Sequence, residues 1–402
     1  MEERKEHSLG DIVNLVIDYR GKTPLKLGGS WSQNGYRALS AKNIKTGAIV
    51  NEDSIRFVDE ELYRRWMKDE VQRGDIFVTS EAPFGQIYYW NSDEKIVLSQ
   101  RLFCLRLSEE VCSKFVYYYM ITNTFQAELD GRATGTTVIG LRQPELLKCK
   151  INLPSLAEQQ RIASILSSLD EKIEVNRRIN DNLEQQAQAL FKSWFVDFEP
   201  FRDQPFVESE LGMIPEGWRV GTLGDYCKVF TGKKDVKQSL SKGLYPFFSC
   251  SPNHTYSNEY IYDGASIIIA GNGSYTGRTS FYFGKYDLYQ RTYACTIKEG
   301  INEKRISFLY YMMKCLFEPV KMGGTRGSSI PYIVMNDIVL QKFVLEDSLV
   351  GKYSDFAYSI MKQIQKNNQE SRRLAQLRDT LLPRLMSGEI KVNEIKGIDY
   401  GY

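Results

Sequence analysis

The chain has 402 residues, of which 42% are hydrophobic and 25% charged, with a formal net charge of +2. This length suffices for two or three domains, each with its own core. The near-neutral charge excludes the strongly basic class of nucleic-acid binders, so any basic surface must be a local patch.

Cysteine usage and hydropathy bound the cellular setting. None of the seven cysteines forms a Cys-x-x-Cys pair, which argues against a zinc site and against a disulfide framework. The first residues, MEERKEHS, are charged, and no apolar run approaches about 18 residues. We therefore expect no signal peptide, no membrane span, no metal site and a cytoplasmic location.

Residues 1–153 predict a strand-rich mixed domain. Short β-type runs such as 75–80, 87–90 and 101–107 are separated by Gly, Asn and Pro. The domain ends at Leu153-Pro154, and residues 154–199 predict a long helix.

This first long helix carries a heptad seam with steps of four and three residues. The seam consists of Leu169, Ile173, Asn176, Leu183, Leu190 and Trp194, with Asn180 and Ala187 completing the spacing. Adding 191 to each number gives a second seam: Ile360, Ile364, Asn367, Leu374, Leu381 and Leu385, with Ser371 and Arg378 between them. Two long helices of one chain that each need a partner predict an intramolecular antiparallel coiled coil.

The domain before the helix also recurs. After a linker, residues 200–346 predict a second strand-rich domain, and residues 347–402 the second long helix and a C-terminal tail. Matching phrases occur in the same order in both halves: Leu9-Gly10-Asp11 with Leu223-Gly224-Asp225, Leu98-Ser99-Gln100-Arg101 with Leu288-Tyr289-Gln290-Arg291, and Phe115-Val116-Tyr117-Tyr118 with Phe308-Leu309-Tyr310-Tyr311. The order indicates a tandem duplication.

The expected fold is α+β. Two similar mixed α/β, strand-rich globular domains are separated by a long antiparallel two-helix coiled coil, with internal pseudo-two-fold duplication. A helix of about 37 residues would be about 55 Å long. Such a geometry suits a ligand with two sites a fixed distance apart, and duplex DNA is the obvious one.

Two Gly/Thr-rich loops occupy equivalent places and supply candidate phosphate contacts. The candidates are Arg132, Thr134, Thr136 and Thr137 in the first domain, and Arg326, Ser328 and Ser329 in the second. A cation, hydroxyls and bare backbone amides are good partners for phosphate oxygens. A solvated surface loop is the open alternative.

Basic turns after the first strand of each copy supply further candidates, Arg20 and Lys22 in one copy and Lys233 and Lys234 in the other. The spacing of a phosphate-binding GxxxxGK[ST] loop is absent. A DNA-contacting turn and an ordinary surface turn both remain open.

The glycine-dense stretch 271–278 could present Asn272 or Arg278 to base edges. It could equally be a hairpin connection.

Motifs of catalysis are absent from the sequence. There is no [DNS]PP[YFW] motif and no convincing glycine-rich loop for S-adenosylmethionine. No catalytic residue is therefore assigned, and the chain is expected not to be an enzyme by itself.

Three phrases resemble the specificity subunits of type I restriction–modification systems. They are Leu153-Pro154 followed by Glu158-Gln159-Gln160-Arg161-Ile162-Ala163, Ile214-Pro215-Glu216-Gly217-Trp218 with Leu223-Gly224-Asp225, and Leu381-Leu382-Pro383-Arg384-Leu385-Met386-Ser387-Gly388-Glu389-Ile390. The resemblance covers essentially the whole chain.

The resemblance implies two target-recognition domains, each reading one half of a bipartite sequence in double-stranded DNA. It also implies a helical platform for two modification (methyltransferase) subunits, which restriction subunits then join. S-adenosylmethionine, ATP and magnesium would belong to those partners, and this chain would hold no cofactor. A stand-alone DNA methyltransferase and a coiled-coil scaffold that does not bind DNA are the alternatives.

Overall fold

The computed structural model describes residues 4–135, 139–317 and 331–392. The chain divides into two compact units, residues 1–172 with 374–402, and residues 173–373. Each unit contains one strand-rich domain and parts of both long helices.

The first domain is built mainly from short strands. Its strands are β1 (Lys5–Ser8), β2 (Val13–Asp18), β3 (Tyr36–Leu39), β4 (Ile44–Lys45), β5 (Ala48–Ile49), β6 (Arg56–Val58), β7 (Ile76–Thr79), β8 (Ile87–Tyr89), β9 (Val97–Leu98), β10 (Leu102–Leu107) and β11 (Lys150–Leu153). Its helices are α1 (Leu9–Ile12), α2 (Glu60–Trp66), α3 (Ser113–Met120), α4 (Asn123–Arg132) and α5 (Gln143–Leu147).

The central sheet of this domain has the order β2-β10-β7-β8. Its central strands β7 and β10 are almost entirely apolar because both of their faces are covered. Phe103 and Leu105 of β10 face one cluster, which contains α3, while Leu102 and Cys104 face the other. Successive side chains of a strand point to opposite faces, so a strand buried on both sides needs an apolar residue at nearly every position.

The rest of the described chain repeats this plan after a long helix. The helices are α6 (Leu156–Phe195), α7 (Leu223–Tyr226), α8 (Arg305–Leu316), α9 (Met335–Val339) and α10 (Asp347–Ser387). The strands are β12 (Phe206–Ser209), β13 (Gly212–Pro215), β14 (Arg219–Thr222), β15 (Cys227–Thr231), β16 (Tyr245–Phe248), β17 (Thr255–Ser257), β18 (Tyr262–Ala270), β19 (Thr279–Leu288), β20 (Thr292–Ile297) and β21 (Lys342–Leu345).

The sheet order confirms the duplication. In the second domain β15-β20-β18-β19 follow one another as β2-β10-β7-β8 do in the first, and β16 pairs in parallel with the end of β19 as β3 does with β9. The flanking pairs β1–β11 and β14–β21 also correspond. The α+β class and the tandem repeat predicted from the sequence are both observed.

The two long helices, of 40 and 41 residues, pair in antiparallel fashion. In the unit 173–373, the amide of Asn176 donates to Ser371 Oγ at 3.3 Å and that of Asn367 donates to Asn180 Oδ1 at 2.8 Å. The two pairs are reciprocal, because Asn367 is the repeat equivalent of Asn176 and Ser371 that of Asn180. The coiled coil of the predicted fold is therefore present.

The seam residues lie on the inner face of the helices. Leu169, Asn176, Ile360, Ile364, Asn367, Leu381 and Leu385 are buried, and Ile173, Leu183, Leu190, Trp194 and Leu374 are partly buried. Asn176 is only 1% exposed, and its amide also donates to Glu370 at 2.8 Å. A buried polar layer of this kind sets the register of a coiled coil.

The last turns of α6 have a second buried face that the heptad spacing did not predict. Phe191 and Phe195 are almost completely buried beside Phe308 and Tyr353. Their rings belong to the core of the second domain. The helix thus ends inside that core, and its apolar surface there is wider than a two-position seam.

Within the described ranges, no helix is long and apolar enough to cross a membrane.

Candidate nucleic-acid interface

Arg20 and Lys22, at the end of β2, are engaged within the first domain. The Arg20 guanidinium donates two hydrogen bonds of 2.8 Å to Asp18 and lies 3.9 Å above the Phe103 ring. The Lys22 ammonium donates to the carbonyl of Trp66 at 2.6 Å, and burial lowers the pKa of this lysine. Both cations support the fold, so DNA would have to compete with these internal partners.

Arg132 is the last residue of α4 and also has acidic neighbours. Its guanidinium donates to Glu128 at 3.0 and 3.1 Å and lies 3.6 Å from the Glu145 carboxylate. The hydrogen bond to Glu128 raises the pKa of Arg132. Thr134 is exposed and exchanges two backbone hydrogen bonds of 2.9 Å with Gly140.

Five loop candidates lie outside the described residues. They are Thr136 and Thr137 in the first domain, and Arg326, Ser328 and Ser329 in the second.

The basic turn of the second domain contains one exposed and one engaged lysine. The Lys234 ammonium contacts Asp287 at 2.6 Å, Glu259 at 2.7 Å and Ser257 at 3.2 Å. The hydrogen bond to Asp287 is the largest cause of its raised pKa. Lys233 is exposed and makes no hydrogen bond or ion pair within the described part of the chain.

Asn272 and Arg278 lie on either side of a tight turn after β18, and both contact the segment that follows β16. The Cys250 thiol donates to Asn272 Oδ1 at 3.0 Å, and Arg278 donates to the Ser251 carbonyl at 2.6 Å. The buried Nε of Arg278 has no hydrogen-bond partner among the described residues, and burial lowers the pKa of this guanidinium. A buried donor without a partner is a ready point for an acceptor from a ligand.

Arg278 opens into a cleft of about 560 Å³ in the unit 173–373, which we name the second-domain cleft. Its lining consists of Ile173, Arg177, Asn180, Asp181, Glu184, Phe248, Pro252, His254, Arg278, Ser280, Phe281, Tyr282, Tyr310, Lys314, Ile364, Gln365, Asn368, Gln369, Ser371 and Arg372. Four cations and two carboxylates line it, so the lining charge is positive. Aromatic rings and cations together are the chemistry that nucleic acids contact.

His254 lines the second-domain cleft, and its pKa depends on the electrostatic environment there. Its ring packs against Phe248 and Tyr256, with centroids 5.5 Å away in each case. Burial and, to a smaller extent, the positive charge of Arg372 lower the pKa of His254 to about 4. The imidazole is therefore neutral near pH 7, and the cationic character of the cleft comes from arginine and lysine.

The first domain has a smaller pocket of about 240 Å³, which we name the first-domain pocket. It is lined by Trp31, Ala38, Ser40, Ala41, Lys42, Ser54, Arg56, Ala82, Ser99, Gln100 and Arg101. The Arg56 guanidinium lies 5.3 Å from the centre of the half-exposed Trp31 ring. Hydroxyls, an indole and three cations are among its described lining residues, and one of these cations, Arg101, pairs with Glu81 at 2.9 Å.

Sequence reasoning missed the exposed cations Lys42, Arg56 and Arg372. They occur in no motif and in no repeated phrase, so nothing in the sequence singled them out. Gln100 and Arg101 were detectable, because their dipeptide recurs at Gln290 and Arg291.

The fold and these surfaces define a duplicated two-domain protein with a cationic pocket or cleft in each compact unit. The chain belongs to the family of the type I restriction modification DNA specificity domain, whose model matches residues 1–185 and 215–344. The first range contains the first strand-rich domain and most of α6, and the second range contains most of the second strand-rich domain. This membership makes the chain a DNA-recognition component and favours neither a stand-alone methyltransferase nor a scaffold indifferent to DNA.

Individual relatives agree with the family match. The chain is 28% identical to the type I restriction enzyme MjaIX specificity subunit of Methanocaldococcus jannaschii over 344 residues, which are 80% of this chain and 79% of that protein. It is 23% identical to the HindI specificity subunit of Haemophilus influenzae, with 97% of this chain and 100% of that protein covered.

A solved structure shares the fold. The S subunit of a type-I restriction-modification system from M. genitalium superposes with a TM-score of 0.60 at 18% identity, covering 95% of this chain and 96% of that one.

Proposed function

We propose that the chain reads a bipartite sequence in double-stranded DNA, with each strand-rich domain contacting one half-site. The observation that carries the proposal is the repetition of one sheet order in two domains of a family whose members specify DNA. Two similar DNA-contacting domains in one chain suit a DNA target that has two separate parts. The positive lining of the second-domain cleft supports contact with a polyanion.

We further propose that the long helices dock two modification subunits, which restriction subunits then join. The outer face of α6 carries the exposed apolar pair Val175 and Ile179, 45% and 43% accessible and one turn apart. The exposure of these apolar side chains to water has an unfavourable free energy. A partner subunit that covers them would remove this contribution. S-adenosylmethionine, ATP and magnesium would act in those partners, and the cytoplasm would be the site of assembly.

The principal test is co-purification of the chain with its modification subunits, followed by genome-wide mapping of methylated sites. A split recognition sequence is the expected result. Replacing residues 1–150 by the matching domain of a relative should change one half of that sequence and leave the other unchanged. A change in both halves would refute independent reading by the two domains.

Two further experiments test the assignment of roles. The isolated chain, incubated with DNA and labelled S-adenosylmethionine, should transfer no label above background.

Val175→Glu combined with Ile179→Glu should prevent co-purification with the modification subunits. Glu184→Gln, on the inward side of the same helix, is unsuitable as a control because Glu184 pairs with Lys314. Leu211→Glu combined with Met213→Glu, which places the same charges on exposed apolar side chains of the β12–β13 hairpin, is the matched control.

A further inference from the structure

Each domain has a turn with the sequence Gln-Arg immediately before a central strand. Between 98–107 and 288–297, three of ten positions are identical, namely the leucine that opens the stretch and the Gln-Arg pair. Buried residues of the following strand have changed, for example Phe103 to Tyr293. Gln100, Arg101, Gln290 and Arg291 are all exposed. Packing therefore does not explain why these exposed side chains stayed the same while core positions diverged.

Backbone hydrogen bonds join the turn of the first domain to neighbouring strand ends, and one of them runs from the amide of Ala41 to the Gln100 carbonyl at 3.1 Å. The amide of Ser99 donates to the Leu39 carbonyl at 2.8 Å, and the amide of Ser80, after β7, donates to the Arg101 carbonyl at 2.9 Å. The Ser80 carbonyl in turn accepts from Leu141 at 2.9 Å. The turn is thus fixed to the ends of two neighbouring strands.

Three of these bonds recur in the second domain, whereas the bond from Ala41 has no counterpart among its described residues. Tyr289 donates to the Phe248 carbonyl at 2.9 Å, Gly271 donates to the Arg291 carbonyl at 3.0 Å, and Ile333 donates to the Gly271 carbonyl at 2.9 Å. The two turns consequently present their side chains from the same place on the same fold.

The side chains on this frame are available to a ligand. Arg101 makes a 2.9 Å surface ion pair with Glu81, in which the arginine side chain is 50% exposed. The side chains of Arg291 and Gln100 make no hydrogen bond or ion pair within the described ranges, and the Gln290 side chain donates to Asp235 at 3.5 Å. Arg101 has a left-handed backbone with φ of +62°, a conformation that Arg291 does not share.

The surroundings favour an anion. In the first domain the turn lines the first-domain pocket together with Lys42 and Arg56. In the second domain the Gln290 amide donates to the Lys234 carbonyl at 2.9 Å, which places the turn beside the basic turn at 233–234. Cations therefore lie near the same dipeptide in both copies, and in the second copy the Asp235 carboxylate lies beside it as well.

We propose that Arg101 and Arg291 are equivalent contacts to the DNA backbone, one per domain, each binding a phosphate. The inference rests on the proposed function. Domains that read different half-sites need different residues for the bases, and only the sugar–phosphate backbone is common to both. A planar guanidinium matches two phosphate oxygens, and Gln100 and Gln290 add a neighbouring amide donor. The Gln-Arg turns would fix each domain on the duplex, while other residues read the bases.

The test compares the full chain with Arg101→Ala, Arg291→Ala and the double variant, in titrations of an arbitrary 40-base-pair duplex at 50 to 200 mM salt. A lost phosphate contact lowers the slope of log binding constant against log salt by about 0.9. Raising the salt from 50 to 200 mM weakens wild-type binding by a certain factor. That factor should be roughly 3.5-fold smaller for each single variant, and smaller by the product of the two reductions for the double variant. The methylated sequence of the assembled complex should stay the same.

Controls separate charge from folding. Arg101→Lys and Arg291→Lys keep the cation and should retain most of the slope, and thermal melting checks that every variant is folded. If an alanine variant fails to fold, Arg→Gln at the same position tests the charge with a side chain of similar length. Arg64→Ala and Lys228→Ala remove exposed cations elsewhere in the two domains and should leave the slope unchanged.

The outcomes distinguish this inference from the proposed function. A wild-type chain without salt-dependent duplex binding would contradict DNA recognition itself. Salt-dependent wild-type binding with an unchanged slope in folded Arg101 and Arg291 variants would overturn this inference alone. So would a variant in which one base of the methylated sequence becomes degenerate, because the arginine would then read a base.

Discussion

Lengthening both long helices should lengthen the gap between the two half-sites. The change is one heptad inserted into each helix at positions that face each other. In the antiparallel pair, Asn176 lies opposite Ser371 and Asn180 opposite Asn367. Continuing this register places the segment 183–190 of α6 against 357–364 of α10, and both segments belong to one apolar cluster.

The register decides where the second insertion must go. The repeat alone would choose 374–381, because these residues are the sequence equivalents of 183–190. An insertion there would shift the middle of the helix pair by seven residues and would bring Asn180 opposite Leu374. Insertions at 183–190 and 357–364 leave both asparagine layers paired.

The expected magnitude follows from helix geometry. Seven residues add about 10 Å at 1.5 Å each, which corresponds to roughly three base pairs at 3.4 Å. Three base pairs also rotate the far half-site by about a third of a turn, which alone could weaken binding. Three heptads add about 32 Å, or roughly nine base pairs, and nearly restore the original orientation.

The assay is methylation mapping of complexes with one, two and three heptads added to each helix. We expect unchanged half-sites and a gap that grows with the number of heptads, recovering activity best at three. An insertion into α6 alone is the control and should lower the melting temperature, because it displaces the seam. Methylation at the original gap by a folded three-heptad variant would show that the helices do not set the spacing.

Three further outcomes are expected. Asn176→Ala should lower the free energy of unfolding by about 1–2 kcal/mol in urea titrations, because it removes the hydrogen bonds to Ser371 and Glu370; an unchanged value would mean that the polar layer adds no stability. Arg132→Ala should weaken binding to all duplex sequences alike and lower the salt slope by about one unit, whereas loss of specificity at one base would assign it to base reading. Burial and, to a smaller extent, the charge of Arg372 lower the pKa of His254 in the folded chain to about 4. As the pH falls from about 6.5, the unfolded chain therefore binds a proton at this histidine before the folded chain does. Stability should therefore decrease between about pH 6.5 and 4, and His254→Gln should remove that part of the decrease in acid-unfolding curves.

Patterns that repeat along the chain were readable from the sequence. The duplication, the strand-rich domains and the antiparallel helix pair all follow from periodic or recurring residues. The pairing of Asn176 with Ser371 was not readable, because a repeat shows which residues are equivalent and not which ones meet. In an antiparallel pair, a residue lies opposite its own repeat equivalent only where the two-fold axis crosses the helices. Everywhere else along the pair, it lies opposite the equivalent of a residue from another layer.

The cations were the least predictable part of the interface. The sequence favoured basic residues beside glycine, and Arg20, Lys22 and Lys234 are of this kind. Each of them is used for an internal contact, to Asp18, to the Trp66 carbonyl and to Asp287 respectively. Lys233, directly after Gly232, makes no such contact among the described residues, so a position in a turn does not by itself determine whether a charge is satisfied internally.

This division has a consequence for how one fold can read different sequences. The Gln-Arg turns occur in both domains and share three backbone bonds, whereas the exposed cations around them differ, being Lys42 and Arg56 in one domain and Lys233 in the other. If the constant turn binds the backbone, the variable residues are free to change without loss of docking. Exchange of Lys42 and Arg56 should then alter which bases are methylated, while exchange of Arg101 alters only how tightly any duplex is held. Recognition of a new half-site would require substitutions around the turn and none within it.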